Sequence, residues 1–289
     1  MSKRLPINQG LYTRGGIITE IDPDYCIVRL RLPAGMITPA QMKEAGAIAE
    51  RYGVENIHLT TRQTMEFPHV DPSQLEPLLA ELEANGTPLG AEREEVVNVT
   101  ACLGTRNCKF GIIDSVGLAK AIDEKFFGKE LPVKVRIAIS SCPNGCESER
   151  LNEIGITGIR KPVRDPGLCT GCGTCTNYCR EKAIWVENGI IVLDQAKCME
   201  CGFCIFPCPF QLISGEPPGY RITVGGHRGR HPRIGRLLIT VKTPEDVIRV
   251  VDRIIYWIHR QASAGSLLPE QLDELDFEKF REEIVKMIG

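Results

Sequence analysis

Alternating apolar and polar positions mark strands at several points along the chain. Residues 26–32 place apolar side chains on one face and Arg29 and Arg31 on the other, which is the period of a strand with one buried side. Residues 133–139 alternate in the same way, and residues 57–61 have the character of a shorter strand. We therefore predict strands over all three segments.

Helix signals lie between and after the first strands. Thr38 can cap a helix that begins with a proline, Gln41 completes a capping box, and Gly53 is suited to end the helix. Residues 71–74 open a second helix, which we expect to end at Asn85-Gly86. This succession of strands and helices predicts an α+β fold with an N-terminal unit of ferredoxin-like topology.

The second half of the chain is interrupted by a stretch of different character. Residues 154–159 and 220–224 have the pattern of strands, and proline-containing segments bound residues 162–217 between them. We interpret this stretch as a domain inserted into a parent domain, which is tolerated where the two ends lie close together at the surface. After Thr243, an apolar stripe at helical spacing predicts a helix whose apolar face is core or a dimer face.

Cysteine spacing indicates metal clusters in the inserted stretch. Three cysteines two residues apart, with a fourth three residues later, occur there twice. In two-cluster bacterial ferredoxins the fourth cysteine of each run binds the other cluster. The pattern therefore predicts two [4Fe–4S] sites, one formed by Cys169, Cys172, Cys175 and Cys208, the other by Cys198, Cys201, Cys204 and Cys179. Structural zinc, whose ligands usually come as two separated pairs, fits this pattern less well.

The other five cysteines lie outside this stretch. Cys102 and Cys108 form one pair and Cys142 and Cys146 another, and their spacing alone fits either a zinc site or an iron–sulfur cluster. Cys26 lies on the apolar face of its predicted strand, so we expect it to be a buried thiol without a redox role.

Composition restricts the classes of function. The chain has 289 residues, enough for one large or two small domains, and its 35 basic and 37 acidic residues give a formal net charge of −2. This balance argues against a general nucleic-acid binder and against a polybasic membrane-surface protein. No apolar run approaches the roughly 20 residues of a membrane-spanning helix, and residues 1–10 lack the apolar segment of an export signal. We therefore expect a cytoplasmic protein, in which thirteen cysteines indicate metal rather than disulfides.

Several motifs occur in the order found in one enzyme family. They are Leu30-Arg31-Leu32-Pro33-Ala34-Gly35, Leu59-Thr60-Thr61-Arg62-Gln63-Thr64, Thr100-Ala101-Cys102-Leu103-Gly104-Thr105-Arg106-Asn107-Cys108 with Cys142-Pro143-Asn144-Gly145-Cys146, and Gly225-Gly226-His227-Arg228-Gly229-Arg230-His231-Pro232-Arg233. On these motifs, over roughly residues 15–240, the chain resembles the sirohaem-dependent sulfite and nitrite reductases. Its half length and inserted ferredoxin are similar to the C subunit of anaerobic sulfite reductase.

The resemblance implies a set of cofactors and contacts. It implies that Cys102, Cys108, Cys142 and Cys146 hold a [4Fe–4S] cluster and that Cys146 bridges this cluster to the sirohaem iron, which makes three [4Fe–4S] clusters in all. Sirohaem carries carboxylates, which need cations and neutral donors around them when they are buried. The expected sirohaem contacts are Thr60, Thr61, Arg62, Gln63, Arg106, Asn107, Gly226, Arg228, Arg230 and Arg233.

The resemblance also implies contacts to an anionic substrate. By motif position Arg31, Lys134 and Arg136 correspond to substrate-binding residues of the family, and a pleated face with two cations suits an oxyanion. Val97 stands where the family pattern usually has arginine, so one substrate-binding cation is missing. Because the chain resembles one half of a full-length reductase, we expect a two-fold homodimer or larger assembly in which Arg31, Lys134 or Arg136 reaches the partner's sirohaem.

The predicted domains are an N-terminal ferredoxin-like half domain (residues 1–90), a sirohaem and [4Fe–4S] domain (91–161 and 218–289) and the inserted 2[4Fe–4S] ferredoxin domain (162–217). The predicted function is six-electron reduction of sulfite to sulfide, with electrons delivered through the inserted ferredoxin. The electron donor, a subunit or a small carrier, is not identified by the sequence. Two alternatives stay open: a sirohaem nitrite reductase that forms ammonia, and an iron–sulfur electron-transfer subunit without sirohaem.

Overall fold

The computed structural model describes residues 15–165, 167 and 169–288, so residues 1–10, on which the expectation about an export signal rests, lie outside the described residues. In the described part the strands are β1 (Ile17–Thr19), β2 (Cys26–Arg29), β3 (His58–Leu59), β4 (Met65–Val70), β5 (Val96–Ala101), β6 (Val135–Ser140), β7 (Ile154–Ile159), β8 (Pro162–Arg164), β9 (Ile184–Glu187), β10 (Ile190–Leu193), β11 (Ile213–Gly215), β12 (Gly219–Val224) and β13 (Arg236–Val241). The helices are α1 (Pro39–Arg51), α2 (Leu75–Ala84), α3 (Ser115–Phe126), α4 (Thr174–Tyr178), α5 (Pro244–Gln261), α6 (Leu268–Glu274) and α7 (Phe277–Lys286). The fold is therefore a mixed α+β fold, as predicted.

The chain divides into two compact units, each built from more than one segment. The first unit comprises the described residues up to Thr100, together with Ala119–Ile137 and the chain from Val251 onward. The second unit comprises Ala101–Leu118 and Ala138–Val250. Each unit carries a different group of the predicted functional residues, and the two are described separately below.

An antiparallel sheet in the order β1-β2-β4-β3 forms the N-terminal part of the first unit. The capping box of α1 is present: the Thr38 hydroxyl accepts a hydrogen bond from the Gln41 backbone N–H (3.2 Å), and the Gln41 side chain accepts one from the Thr38 N–H (3.1 Å). Apolar side chains of the sheet pack with those of both helices into one core. This part of the fold agrees with the helix and strand signals of the sequence.

Cys26 lies in this core. Its side chain is fully buried, its Sγ lies 3.5 Å from the carbonyl oxygen of Val70, and burial raises the pKa of the thiol to about 11. The prediction of a buried thiol is confirmed.

The predicted strands differ from the observed ones at their ends. Strand β2 ends at Arg29: the N–H of Leu30 still donates to the carbonyl of Met65 in β4 (2.9 Å), but the N–H of Arg31 donates to the carbonyl of Pro88, outside the sheet (2.7 Å). Strand β3 has only two residues, because the chain turns at once and the N–H of Thr60 donates to the carbonyl of Thr64 (2.9 Å). In the second predicted helix the first turn, Pro72–Gln74, is a 3₁₀ helix that leads into α2.

A five-stranded sheet has the order β13-β12-β7-β6-β5. Strands β7 and β12 are antiparallel neighbours that pair Ile159 with Gly219. Immediately beyond them, β8 and β11 pair Pro162 with Gly215. The chain therefore leaves and re-enters the sheet at adjacent positions, which is what insertion of a segment such as residues 165–212 requires.

The apolar stripe after Thr243 lies in α5. The hydroxyl of Thr243 accepts a hydrogen bond from the N–H of Asp246 (3.1 Å) at the start of this helix. The stripe, which is fully buried, consists of Val247, Val250, Val251, Ile254 and Ile258. It is therefore core. In the part of the chain that the structure describes, no helix has the length and apolar character needed to cross a membrane.

Candidate functional site

Four cysteines of the second unit, Cys102, Cys108, Cys142 and Cys146, are called the 102 quartet. Cys102 directly follows β5 and Cys142 follows β6, and the N–H of Cys102 donates to the carbonyl of Ile139 (3.2 Å). The Cys102 sulfur accepts a hydrogen bond from the N–H of Ser141 (3.1 Å). Two strand ends therefore fix one cysteine from each pair.

Tight turns present the other two cysteines. The 3₁₀ helix Gly104–Arg106 reverses the chain, and the N–H of Cys108 donates to the carbonyl of Gly104 (2.9 Å). Gly104 has a φ of +59°, and a Cβ there would collide with the Ser115 hydroxyl. Gly145, with a φ of +65°, makes the corresponding turn before Cys146. Cys108 and Cys146 are exposed as a result.

The thiols of the 102 quartet lie within electrostatic reach of one another. Burial raises the pKa of Cys142, and negative charge on Cys102, Cys108 and Cys146 would raise it further. The pKa of Cys146 is raised in the same way. Several thiolates this close together need a bound cation or cluster to compensate their charge.

A buried carboxylate supports the loop that carries Cys142 and Cys146. Both oxygens of Glu149 accept hydrogen bonds, one from the hydroxyl of Ser140 (2.6 Å) and one from the hydroxyl of Thr157 (2.7 Å). The hydroxyl of Ser140 in turn accepts from the N–H of Glu147 (3.3 Å). A buried carboxyl group requires such partners. Sequence reasoning missed Glu149, because nothing in its sequence neighbourhood distinguishes it from a surface glutamate.

The eight cysteines of residues 162–217 gather in two groups, each with three cysteines from one run and the fourth cysteine of the other run. The 169 quartet, whose four side chains all line one cavity, is Cys169, Cys172, Cys175 and Cys208. The 198 quartet, whose four side chains all line a second cavity, is Cys198, Cys201, Cys204 and Cys179. Burial and the neighbouring thiols Cys201 and Cys198 raise the pKa of Cys204 to about 12.

Each cysteine quartet offers four thiols, the number that one zinc ion or one [4Fe–4S] cluster takes. No disulfide forms among the thirteen cysteines. In the described residues no group of three or more His, Cys, Asp or Glu is arranged to hold a single metal ion. Four thiolates on one zinc ion converge tetrahedrally at short distance, whereas the thiolates of a [4Fe–4S] cluster each bind a different iron and stand farther apart. Four cysteines around one cavity, as in the 169 and 198 quartets, are compatible with the donor set of a cluster.

Candidate sirohaem contacts in the second unit differ in their surroundings. Arg228 is half-buried, its Nη2 donates to the carbonyl of Glu147 (2.7 Å), and its buried Nε has no hydrogen-bond partner among the described residues. Arg106 lies 3.3 Å from the carboxylate of Asp114 on the surface, next to the exposed Asn107. Arg230 and Arg233 are exposed.

Gly226 is closely enclosed. A Cβ at this position would collide with the backbone carbonyl oxygens of Arg150 and Asn152. The backbone N–H and C=O of His227 bond with those of Arg233 (3.0 and 2.9 Å), which closes the glycine-rich loop into a hairpin. Only glycine therefore lets this loop pack against the segment that follows Cys146.

Three cations of the first unit converge on one carboxylate. Arg29 from β2, Arg62 from the turn after β3 and Lys134 all bind Glu92, with the Lys134 Nζ 2.6 Å from one oxygen. Arg29 also binds Glu66. Burial and the positive charges of Arg62, Arg136 and Arg29 lower the pKa of Lys134 to about 8. These four residues, Arg29, Arg62, Lys134 and Arg136, are called the cation cluster.

From the sequence, Lys134 and Arg136 are predicted to bind the substrate and Arg62 to bind sirohaem. The sequence does not single out Glu92 or Arg29 as members of a site. Glu92 lies in an acidic segment, residues 92–95, in which no pattern singles out one glutamate. The alternation in residues 26–32 places Arg29 on the polar face of a strand and indicates no partner for it. Their convergence is a tertiary property that sequence spacing does not contain.

Arg31 has a different environment from Lys134. Its guanidinium binds the buried carboxylate of Asp123 (2.9 and 2.5 Å) and lies 4.3 Å from the ring centre of Phe127. Burial raises the pKa of Asp123, an effect that Arg31 opposes. Val97, at the position of the missing family arginine, is buried. Arg31 thus has an intramolecular partner.

The remaining predicted sirohaem contacts lie in the turn between β3 and β4. The Thr60 hydroxyl accepts a hydrogen bond from the N–H of Arg62 (3.1 Å), and Thr61 is exposed. Gln63 has a φ of +56°, which is uncommon for a residue other than glycine. The turn therefore holds these side chains and Arg62 together.

The fold and its cysteine sites are those of an iron–sulfur oxidoreductase. Residues 92–289 match the nitrite and sulphite reductase 4Fe-4S domain, and residues 18–85 match the nitrite/sulfite reductase ferredoxin-like half domain. The chain belongs to the nitrite and sulfite reductase family, as its motifs predict.

Relatives and one solved structure are similar over most of the chain. Identity is 30% over 276 residues with the coenzyme F420-dependent sulfite reductase of Methanocaldococcus jannaschii, covering 95% of this chain but only 44% of that protein. It is 27% over 283 residues with the C subunit of the anaerobic sulfite reductase of Salmonella typhimurium, covering 90% and 83%. The crystal structure of dissimilatory sulfite reductase I has the same fold, with a TM-score of 0.74 at 20% identity, covering 94% of this chain and 73% of that chain.

Proposed function

We propose that this protein catalyses the six-electron reduction of sulfite to sulfide. The observation that carries the proposal is the 102 quartet, in which adjacent strand ends and two tight turns bring together the cysteines of the family motif. The exposure of Cys146 supports its proposed role as the bridge to the sirohaem iron.

The proposed cofactors are three [4Fe–4S] clusters and sirohaem. The 102 quartet would hold one cluster, and the 169 and 198 quartets of the inserted ferredoxin would hold the others. When bound, sirohaem and its bridged cluster supply a redox centre at which a single sulfur atom can receive several electrons. The chain's own contribution is to hold, orient and electrostatically tune these groups.

For sirohaem carboxylates we propose Arg228 and Arg62 as the strongest donors. The unpartnered Nε of Arg228 lies on a side chain already anchored to the residue after Cys146, so a carboxylate would supply the acceptor it lacks. Arg62 is held by its turn and by Glu92. The other predicted donors in the first unit are Thr60, Thr61 and Gln63, and those in the second unit are Arg106, Asn107, Gly226, Arg230 and Arg233.

For the substrate we propose that Lys134 and Arg136 bind the anion and that Lys134 supplies protons. A lysine whose pKa is lowered to about 8 holds a proton at neutral pH and releases it more readily than an ordinary lysine. Arg31 is the third proposed substrate residue, and binding there would compete with its contact to Asp123.

We propose that the active form is a two-fold homodimer or larger assembly in the cytoplasm, in which a substrate cation of one chain reaches the sirohaem of the other. The electron donor would be a separate subunit or small carrier. Sedimentation of the loaded enzyme tests the assembly: a fully active monomer would contradict it.

Side-by-side turnover with sulfite and nitrite tests the proposed reaction. The purified, cofactor-loaded protein is given a chemical electron donor, and sulfide or ammonia is measured. We expect a higher kcat/KM with sulfite. A much higher value with nitrite would establish the nitrite reductase alternative, which the valine at position 97 keeps open. If the purified protein does not bind sirohaem, the remaining candidate function is that of an iron–sulfur electron-transfer subunit.

A further inference from the structure

Two phenylalanines join the loops of different cysteine quartets within the second unit. Phe110 follows Cys108 of the 102 quartet by two residues, and Phe203 lies between Cys201 and Cys204 of the 198 quartet. Their ring centres are 4.7 Å apart, with the planes tilted by 38°. This spacing is that of a favourable aromatic pair in van der Waals contact.

A second contact region brings the same two quartets together. The cavity lined by the 198 quartet is also lined by Pro143 and Asn144, which lie between Cys142 and Cys146. Both cysteine loops of the 102 quartet therefore approach the 198 quartet. In contrast, the residues that line the cavity of the 169 quartet all come from the segment 169–212.

We propose that the Phe110–Phe203 contact is the junction through which electrons pass from the 198 quartet to the 102 quartet, with the 169 quartet as the outer point of entry. The inference rests on the proposed function, because it needs clusters in these sites. In each transfer one electron leaves the reduced cluster of the 198 quartet, which is oxidised, and reduces the cluster of the 102 quartet. No bond forms or breaks, and no proton moves.

The physical reason is the continuity of the packing. Electron tunnelling weakens exponentially with distance, and it weakens less through bonded and closely packed atoms than across a gap. From Cys108 the backbone leads to the Phe110 ring, the rings touch, and the Phe203 backbone leads to Cys201 and Cys204. Lys109 reinforces the junction, since its Nζ lies 5.0 Å from the centre of the Phe110 ring. Phe110 and Phe203 are positioning residues in this scheme.

The matched control is Phe206. It lines the same surface cavity as Phe110 and Phe203, but the residue is 76% exposed and its ring stacks against neither of them. Phe203→Leu and Phe110→Leu remove a ring while keeping an apolar side chain of similar size. Phe203→Tyr keeps the ring and is the conservative variant.

The test uses the full chain, loaded with iron, sulfide and sirohaem and reduced anaerobically. Stopped-flow absorbance follows reoxidation of the clusters after mixing with sulfite, and EPR measures the magnetic coupling between the reduced centres. We expect reoxidation of the ferredoxin clusters to slow at least several-fold in both Leu variants, and to keep the wild-type rate in Phe203→Tyr and Phe206→Leu. Unchanged EPR coupling would show that the clusters have kept their separation.

Two results would overturn the inference: wild-type rates in both Leu variants with full iron content, or equal slowing in Phe206→Leu. If a Leu variant loses iron, the methionine variant at the same position replaces it and is judged by the same rates. A wild-type protein without sirohaem bands, or one that sulfite does not reoxidise, would instead contradict the proposed function. The two failures are therefore distinguishable.

Discussion

At the scale of single residues, the cation cluster of the first unit shows how burial changes a side chain's chemistry. Burial, together with the nearby charges of Arg62, Arg136 and Arg29, lowers the pKa of Lys134 even though Glu92 lies 2.6 Å away. An ordinary lysine would stay fully protonated throughout the neutral range. The pKa of Lys134 is instead lowered to about 8, which suits the proton-donor role that we propose for it.

Lys134 predicts the pH dependence of catalysis. Because its folded pKa is lowered to about 8, the charged form is present below that pH and is lost as the pH rises through it. We expect kcat/KM for sulfite to fall about tenfold per pH unit above this value. In Lys134→Arg, which stays charged, this limb should disappear while overall activity drops. The exposed Lys129→Arg serves as control, and a limb that persists in Lys134→Arg would contradict the assignment.

Substitution of Glu92 is expected to lower stability and to strengthen anion binding. Glu92→Gln leaves Arg29, Arg62 and Lys134 without their shared counter-charge, so we expect the free energy of unfolding to fall by about 1–3 kcal/mol. Added sulfate should then stabilise the variant more than it stabilises the wild type, as measured by thermal unfolding. The surface variant Glu81→Gln, which removes the partner of Arg51, should change little. Equal sulfate effects in Glu92→Gln and wild type would refute an anion-binding cluster.

At the scale of elements, the position of the glycine-rich loop depends on the close approach of Gly226 to the backbone of Arg150 and Asn152. Gly226→Ala would place a methyl group against two carbonyl oxygens, and we expect it to lower the free energy of unfolding by about 1–3 kcal/mol. Gly46→Ala, in the middle of α1 and facing open space, should raise stability by about 0.5–1 kcal/mol. Chemical denaturation measures both. If Gly226→Ala leaves the free energy of unfolding unchanged, the loop can move away from these carbonyl groups, and the prediction is wrong.

The crossed cysteine runs give a second prediction at this scale. If Cys179 belongs with the 198 quartet, Cys179→Ser should remove the same EPR signal and the same share of iron as Cys204→Ser. If each run instead bound its own cluster, Cys179→Ser would match Cys175→Ser. Iron and acid-labile sulfide analysis of the three purified variants, together with their EPR spectra, decides between these outcomes.

Local signals predicted elements well where the side chains act on neighbouring backbone. The Thr38–Gln41 capping box gave the start of α1, because both partners lie within one turn. Strand alternation located β2 and β6 but not their ends, since those depend on distant partners such as Pro88. The same limit applies to β3, which the turn at Thr60 shortens.

At the scale of the whole molecule, cysteine spacing was informative because cluster geometry constrains sequence distance directly. The structure brings together the groups of four that the spacing assigns, and their ligand roles stay predictions. Spacing could not foresee contacts between remote segments. The convergence of cations on Glu92 and the meeting of Phe110 with Phe203 depend on tertiary packing, which no local pattern encodes.

The length of the chain relative to its relatives is also a property of the whole molecule. The chain spans less than half of the F420-dependent relative but most of the relative from the anaerobic sulfite reductase. In the proposed scheme the electrons come from an external source, and the second copy of the chain contributes a substrate cation.

The visible absorption spectrum of the anaerobically purified protein, recorded with and without sulfite, tests the central proposal most directly. We predict sirohaem bands that shift when sulfite binds, superimposed on iron–sulfur absorption. In Cys146→Ser the electronic coupling between sirohaem and cluster should be lost. A spectrum of iron–sulfur clusters alone, unchanged by sulfite, would contradict the proposal that this chain is a sirohaem sulfite reductase.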